Sequence, residues 1–198
     1  MAQARAVVAR RLPADLALVG VSAVLWMVSI YLNNEVLFQW TEEEEFVHWV
    51  FVPAGIRILL VMLFGWRAAF GMALGSVPWV LDVLPGVGAG TVAVTAMATG
   101  LMPWISVQLF SSVTGVRHPW HDLVWWHLPV IAGLSAFTNS AVLNGQLILV
   151  GLEPPRELPV NLLAVMIGDL LGALVLLLAT VSLVRLIRTR GATPDGCR

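Results

Sequence analysis

The chain has 198 residues, of which 59% are hydrophobic and 12% are charged. Soluble domains average about 25% charged residues, and a water-soluble fold of this length could not bury so much apolar surface. The single cysteine, Cys197, excludes an intrachain disulfide and a CxxC metal or redox site. We therefore expect a protein that lies in the lipid bilayer and has no cofactor and no nucleic-acid partner.

Six mainly apolar segments follow one another, and each has roughly the 20 residues that a helix needs to cross a bilayer. Lipid offers no partners for backbone hydrogen bonds, so such segments must be helical. The sequence predicts one all-α membrane domain, residues 1-198, which is a polytopic bundle of about six transmembrane helices with a short cytoplasmic tail at 187-198. The predicted spans are approximately 14-32, 46-64, 68-84, 90-113, 124-150 and 160-186.

The first segment follows several arginines and so has the basic flank of a secretory signal peptide. Its apolar stretch exceeds the 7–15 residues of such signals, and we interpret it as a retained helix. With six spans, nine arginines fall on one side of the membrane and only Arg156 on the other. Because cytoplasmic loops are rich in basic residues, this bias predicts an N-in/C-in, multi-pass protein of the bacterial cytoplasmic (inner) membrane.

The second segment begins beside a run of glutamates. Thr41 and Glu44 have the spacing of a capping box, which favours a helix start over a surface cation site. Pro53 lies inside the predicted span, and a proline removes a helical hydrogen bond and kinks or breaks the helix. The sequence therefore predicts a second helix that starts near the glutamates and is broken at Pro53.

Glycine pairs at helical spacing occur in the third and sixth segments, as Gly71 with Gly75 and Gly168 with Gly172. Such GxxxG patterns let two helices approach closely in lipid. The sequence favours tight packing within one chain over a dimer interface.

Arg57 and Asp169 are the two charges placed deep within predicted spans. From the predicted outer ends of their spans they lie about 16 Å and 14 Å deep at 1.5 Å per residue. An unpartnered charge in a span costs several kcal/mol, so we expect the two side chains to face each other, as a ligand-binding pair or as a structural ion pair. Asn139 lies near the same depth and is a further candidate.

The sequence contains none of the catalytic motifs that we considered. No HExxH or GxSxG is present, and Met166 occupies the place of the first glycine in the GxGD pattern of intramembrane aspartyl proteases. His118, His121 and His127 surround one inner loop, but their spacing does not indicate a metal site. The sequence predicts that the protein is not an enzyme.

Two stretches resemble the membrane-associated sensor (MASE-type) domain family: PAGI from Pro53 to Ile56, which continues through Leu59, Leu60, Gly65, Arg67 and Gly75, and GDLLG from Gly168 to Gly172. The sequence also resembles short bacterial membrane proteins related to that family, which carry the same PAGIR and GDLLG stretches. The family consists of helical membrane domains that precede signalling domains. The resemblance implies a sensory or ligand-binding membrane core. The family has about eight spans and a cytoplasmic output domain, and this sequence departs from it in both respects.

These observations lead to three functional hypotheses. The first is a sensor-like protein that binds a small ligand, or a membrane or cytoplasmic signalling partner, beside Arg57 and Asp169. The second is a small-solute transporter or its membrane substrate-binding subunit, since broken helices and midplane charges also mark transport sites. The third is an assembly scaffold whose GxxxG faces recruit another membrane protein.

Overall fold

A computed structural model describes residues 2–37, 42–44, 47–48, 50–120 and 122–191. The predicted all-α class with six helices is confirmed. The helices are α1 Ala2–Tyr31, α2 Pro53–Phe64, α3 Trp66–Val83, α4 Ala89–Thr114, α5 His127–Leu149 and α6 Leu158–Gly191. Among the described residues, a π-helical segment Leu32–Leu37 and an antiparallel pair of strands, β1 Glu42–Glu44 and β2 Val47–His48, lie between α1 and α2. A 3-10 turn, Pro155–Glu157, lies between α5 and α6.

Three helical segments within the described residues are long and apolar enough to cross a membrane, namely Leu12–Glu35, Ala89–Thr114 and Pro155–Val184. The helix α2 is apolar but has only 12 residues. At 1.5 Å per residue it extends about 18 Å, which is well short of the hydrocarbon thickness. The protein is therefore a helical membrane protein with at least three candidate spans.

The predicted start of the second helix is wrong. Glu42–Glu44 forms β1 and pairs with β2, so these glutamates do not begin a helix, while Thr41 lies outside the described residues. The helix α2 starts at Pro53, which occupies its first position. A proline is favourable there because that residue's N–H would have no helical partner. Pro53 therefore begins a helix and does not break one.

The surface is apolar, unlike that of a soluble protein, and the interior contains polar side chains beside its apolar core. The buried residues include Arg57, Asp169 and Asn139, whereas large apolar side chains cover the outside. A bilayer favours this distribution because polar groups in lipid need partners that only the protein interior supplies. The exposed apolar side chains include Leu16, Val24, Leu63, Leu74, Val94, Leu109, Phe137, Val175 and Leu178.

Glycines allow the helices to approach closely, as the GxxxG patterns predict. Gly71 and Gly75 of α3 lie against the backbone of α1 at Val19 and Ala23, and a Cβ on Gly75 would lie 2.6 Å from the Ala23 carbonyl oxygen. In α4, Gly100 lies against the Ala69 backbone. The Gly71 and Gly75 face is therefore used within the chain, between α1 and α3.

The second GxxxG pattern contacts the segment that enters α2. Gly172 lies against the backbone of Phe51, and the carbonyl oxygen of Gly168 accepts a hydrogen bond from the Phe51 N–H at 3.0 Å. On the opposite side of the contact, a Cβ on Gly55 would lie 2.8 Å from the Leu176 Cβ. Small residues on both helices thus bring α2 and α6 together.

The close contact at Gly71 predicts the effect of adding one methyl group. Gly71→Ala should destabilise the protein by about 1–3 kcal/mol because the new Cβ overlaps the Val19 carbonyl and Ser22. Gly133→Ala in α5 is the matched control, since its Cβ meets no atom within 4 Å and alanine favours a helix. Thermal unfolding in detergent measures both. Equal stability of the two variants would contradict the α1–α3 packing.

Candidate functional site

Arg57 is placed in the interior by the start of α2. Pro53 fixes the first turn, and Arg57 follows one turn later with only 2% of its surface exposed. Because Gly55 brings the backbone of α2 against α6, the guanidinium reaches the inward face of that helix. The position of α2 thus directs the Arg57 guanidinium toward α5 and α6.

Three polar side chains from three helices form a closed triad. The Arg57 Nη2 donates to Asp169 Oδ2 at 2.7 Å, and the Arg57 Nη1 donates to Asn139 Oδ1 at 2.8 Å. The Asn139 Nδ2 in turn donates to Asp169 Oδ2 at 2.7 Å. All three side chains are buried, so each member's hydrogen bonds come from the other two. We call these residues the Arg57 triad.

Aromatic rings surround the guanidinium. The Cζ of Arg57 lies 5.5 Å from the ring centroid of Trp26 and 5.6 Å from that of Phe51, within the range of cation–π attraction. Trp26 is itself fixed, because its Nε1 donates to Ser76 Oγ at 2.7 Å. The charge therefore sits in polarisable surroundings that partly replace its lost hydration.

The segment before α2 is held by two hydrogen bonds from its backbone. The Phe51 N–H donates to Gly168, and the Val52 N–H donates to Asn33 Oδ1 at 3.1 Å. Asn33 lies in the π-helical segment and is 1% exposed. These bonds fix the Phe51 ring over Arg57, although Phe51 lies in a stretch without helical structure.

A cavity of about 60 Å³ lies beside the triad. Its polar wall contains Arg57, Asn139 and Asp169, and the rest of the wall consists of aromatic, aliphatic and threonine side chains: Trp26, Ile30, Phe51, Trp79, Thr95, Ala98, Thr99, Leu143 and Val165. Within the described residues the buried Nε of Arg57 has no hydrogen-bond partner. One N–H of the guanidinium is thus available for an acceptor from outside the triad.

The structure brings some of the polar residues considered in the sequence together and places others elsewhere. Arg57, Asp169 and Asn139 come together. Of the four predicted glycines, Gly168 and Gly172 contact the segment that enters α2, whereas Gly71 and Gly75 pack against α1. Asn161, another polar residue of the sixth span, instead donates to Glu153 and is separate from the triad. The His118 and His127 side chains also lie outside the cavity, where His127 Nδ1 accepts from the Val124 N–H at 3.1 Å. His121 lies outside the described residues.

Several cavity residues escaped the sequence analysis. The sequence places Trp79 near the outer membrane boundary, where tryptophan is typical of an interfacial anchor, but in the structure Trp79 lines the cavity. Trp26 lies in the middle of the first predicted span, where an interfacial anchor is not expected, and this position was a usable signal. Thr95 and Thr99 gave no signal because serine and threonine are frequent in membrane helices and hydrogen-bond to their own backbone, as both do here.

Comparisons of the chain with protein-family models, with curated proteins and with solved structures give no match. The site must therefore be interpreted from its own geometry. An Arg–Asn–Asp triad without a nucleophile can orient charge and bind an acceptor group.

The triad predicts a coupling between its two charges. Arg57→Met and Asp169→Leu should each destabilise the protein by about 3 kcal/mol or more, because each leaves one buried charge without its counterion. The double variant should be more stable than either single variant, since no charge then remains. Chemical unfolding in detergent gives the four free energies of the cycle.

The pair of Arg67 and Asp15 is the matched control. Their side chains are 30% and 25% exposed, and Arg67 Nε lies 2.6 Å from Asp15 Oδ1. Because this pair is partly exposed to water, its coupling free energy should be about 1 kcal/mol or less. Strictly additive losses at Arg57 and Asp169 would show that the buried pair does not form.

Proposed function

We propose that this protein is a non-enzymatic, sensor-like membrane protein that binds a small ligand in the cavity beside the Arg57 triad. The observation that carries the proposal is the buried Arg57 Nε, which has no hydrogen-bond partner among the described residues and belongs to a side chain that lines the cavity. A buried donor without an acceptor costs about 1–3 kcal/mol. A ligand that supplies the acceptor removes this free-energy cost, and the gain strengthens the binding of the ligand.

The walls of the cavity favour a particular kind of ligand. Its polar part is an acceptor oxygen, such as a carboxylate or carbonyl, which receives the Arg57 Nε–H. Its apolar part packs against Trp26 and Trp79. At about 60 Å³ the cavity admits a compact group, since one water occupies about 10–15 Å³ on this scale.

An anionic acceptor also provides a way to signal. It competes with Asp169 for the guanidinium, and Asp169 is the ionic link between α2 and α6. Ligand binding then weakens that link and releases α2 to shift against α6. Such an exchange of partners meets the requirement that a ligand interact differently with two states of the protein. The resemblance to MASE-type domains, carried by PAGIR and GDLLG, agrees with this role.

The two other hypotheses lose part of their support. The transporter hypothesis depended on a helix broken at Pro53, but Pro53 is a helix start. The scaffold hypothesis depended on free GxxxG faces, but Gly71, Gly75 and Gly172 contact backbone of the same chain. A sensor-like binding role requires only the triad and its cavity.

The proposal places the chain in the bacterial inner membrane with six spans and both termini in the cytoplasm. Cys197, the single cysteine, reports the side of the C-terminus. In intact spheroplasts a membrane-impermeant maleimide should leave Cys197 unlabelled, and in inverted vesicles it should label Cys197. The variant Cys197→Ser controls for background. Labelling in spheroplasts alone would contradict the proposed orientation.

Filling the cavity tests the proposal without altering the triad. Ala98→Leu places a larger apolar side chain in the cavity wall, so it should abolish ligand-induced stabilisation and leave the unliganded protein folded. Ala93→Leu, on the exposed face of the same helix, is the matched control. The measurement is thermal stability against a library of small carboxylates and carbonyl compounds.

Two results contradict the proposal. The first is that no compound stabilises the wild-type protein. The second is that the compounds which do so stabilise Ala98→Leu equally well. A compound at a concentration of 100 times its Kd should raise the stability of the wild-type and Ala93→Leu proteins by about 2.7 kcal/mol.

A further inference from the structure

A second cavity, of about 620 Å³, lies at another part of the bundle, where α2 ends, α3 begins and α4 ends. Basic side chains line it, namely Arg67, Arg117 and His118, and no acidic residue does so among the described residues. Asp15 lies outside the lining and binds Arg67 at 2.6 Å. Arg117 is exposed and forms no ion pair within the described chain. The cavity therefore carries positive charge.

Ser111 supplies a second and independent feature. It is 8% exposed, lines the cavity and has a buried Oγ without a hydrogen-bond partner in the described residues. The hydroxyls of Ser106, Ser112 and Thr114 in the same helix all donate to carbonyl oxygens of the preceding turn. Ser111 thus differs from these neighbours in having a hydroxyl without a hydrogen-bond partner among the described residues, and the residue lines a basic cavity.

The surrounding backbone favours an anion as well. The helix α3 starts at Trp66 beside the cavity, and helix N-termini present N–H groups and partial positive charge. The ends of α2 and α4 oppose this effect, but Gly65 and Gly115 cap carbonyls there: the Gly65 N–H donates to Val61 at 2.8 Å and the Gly115 N–H donates to Ser111 at 3.0 Å. Part of the negative end of each helix is thereby neutralised.

The loop that carries Arg117 and His118 is held against the bundle. Trp120 Nε1 donates to the Met62 carbonyl oxygen at 2.8 Å, which ties this loop to the last turns of α2. The two basic side chains are therefore attached to a fixed part of the cavity wall. Most of the remaining lining is apolar, with Leu63 and Trp104 among its residues, and Gln108 and Ser112 add polar groups.

We propose that this second cavity binds a phosphate group. Arg117 supplies the unpaired positive charge, Arg67 supplies N–H donors although Asp15 binds its Nε, and the Ser111 hydroxyl donates to a phosphate oxygen. The phosphate is that of an anionic lipid headgroup or a free phosphate from the aqueous phase, since both present the same oxygens. The proposed orientation places this end of the bundle at the cytoplasmic face, where anionic lipids attract basic groups. The site is separate from the cavity beside the Arg57 triad and does not depend on its function.

The test uses the full chain, purified in detergent, with two probes. Phosphatidylglycerol is titrated by native mass spectrometry against phosphatidylcholine, and inorganic phosphate is titrated by thermal stability against chloride at equal ionic strength. The variants are Arg117→Gln and Ser111→Ala. The control is Arg156→Gln, whose side chain is 84% exposed and lies outside the cavity.

For the probe that binds, we expect an affinity about fivefold weaker in Arg117→Gln, which corresponds to about 1 kcal/mol per basic residue. Ser111→Ala should also bind more weakly, and Arg156→Gln should bind like the wild-type protein. Selective binding of phosphatidylglycerol supports a lipid headgroup as the source. Stabilisation by inorganic phosphate, without lipid selectivity, supports free phosphate.

Two outcomes would overturn the proposal. One is that neither probe binds more strongly than its comparison lipid or ion. The other is that Arg117→Gln and Ser111→Ala both bind as tightly as Arg156→Gln. Because Arg117 is exposed, Arg117→Gln should leave the fold intact. A loss of binding in this variant therefore reports on the cavity.

Discussion

The buried cation of Arg57 is the constraint on which the arrangement of the bundle depends. A guanidinium inside an apolar bundle must find a counterion and acceptors, and Asp169 and Asn139 supply them from α6 and α5. The triad therefore fixes the mutual depth of three helices. The glycine contacts at Gly55 and Gly172 serve the same end, because α2 must approach α6 closely for the side chains to meet.

The same constraint underlies the proposed binding site. Among the described residues the buried Arg57 Nε has no hydrogen-bond partner, and the Arg57 side chain lines a cavity. The aromatic rings of Trp26 and Phe51 stabilise the charge without using that N–H. The Arg57–Asp169 pair links α2 to α6 alongside the glycine contacts between the same helices, and the proposed exchange of partners with an anion acts at this pair. The basic cavity at Ser111 and Arg117 is a second, independent place where the chain presents unused donors.

The sequence predicted the helical class and the six helices, and the expectation that Arg57 and Asp169 face each other agrees with their contact in the structure. That expectation followed from the need of opposite charges in apolar segments to find partners. The depth estimate behind it was less sound, since it counted Arg57 from residue 46 whereas α2 starts at Pro53. The strand pair at Glu42–Glu44 could not be foreseen from a run with capping-box spacing. The roles of Asn33 and Ser111 could not be predicted either, because they depend on residues that are distant in sequence and close only in the fold.

Arginine side-chain NMR tests the central claim most directly. In protein labelled with ¹⁵N-arginine, Arg57→Lys assigns the Arg57 Nε–H signal and Arg156→Lys assigns that of an exposed reference. The buried triad predicts that the Arg57 Nε–H exchanges with water far more slowly than the Arg156 Nε–H, and that Asp169→Asn shifts the Arg57 signals and leaves those of Arg156 in place. Equal exchange rates for the two arginines, or Arg57 signals that ignore Asp169→Asn, would contradict the account.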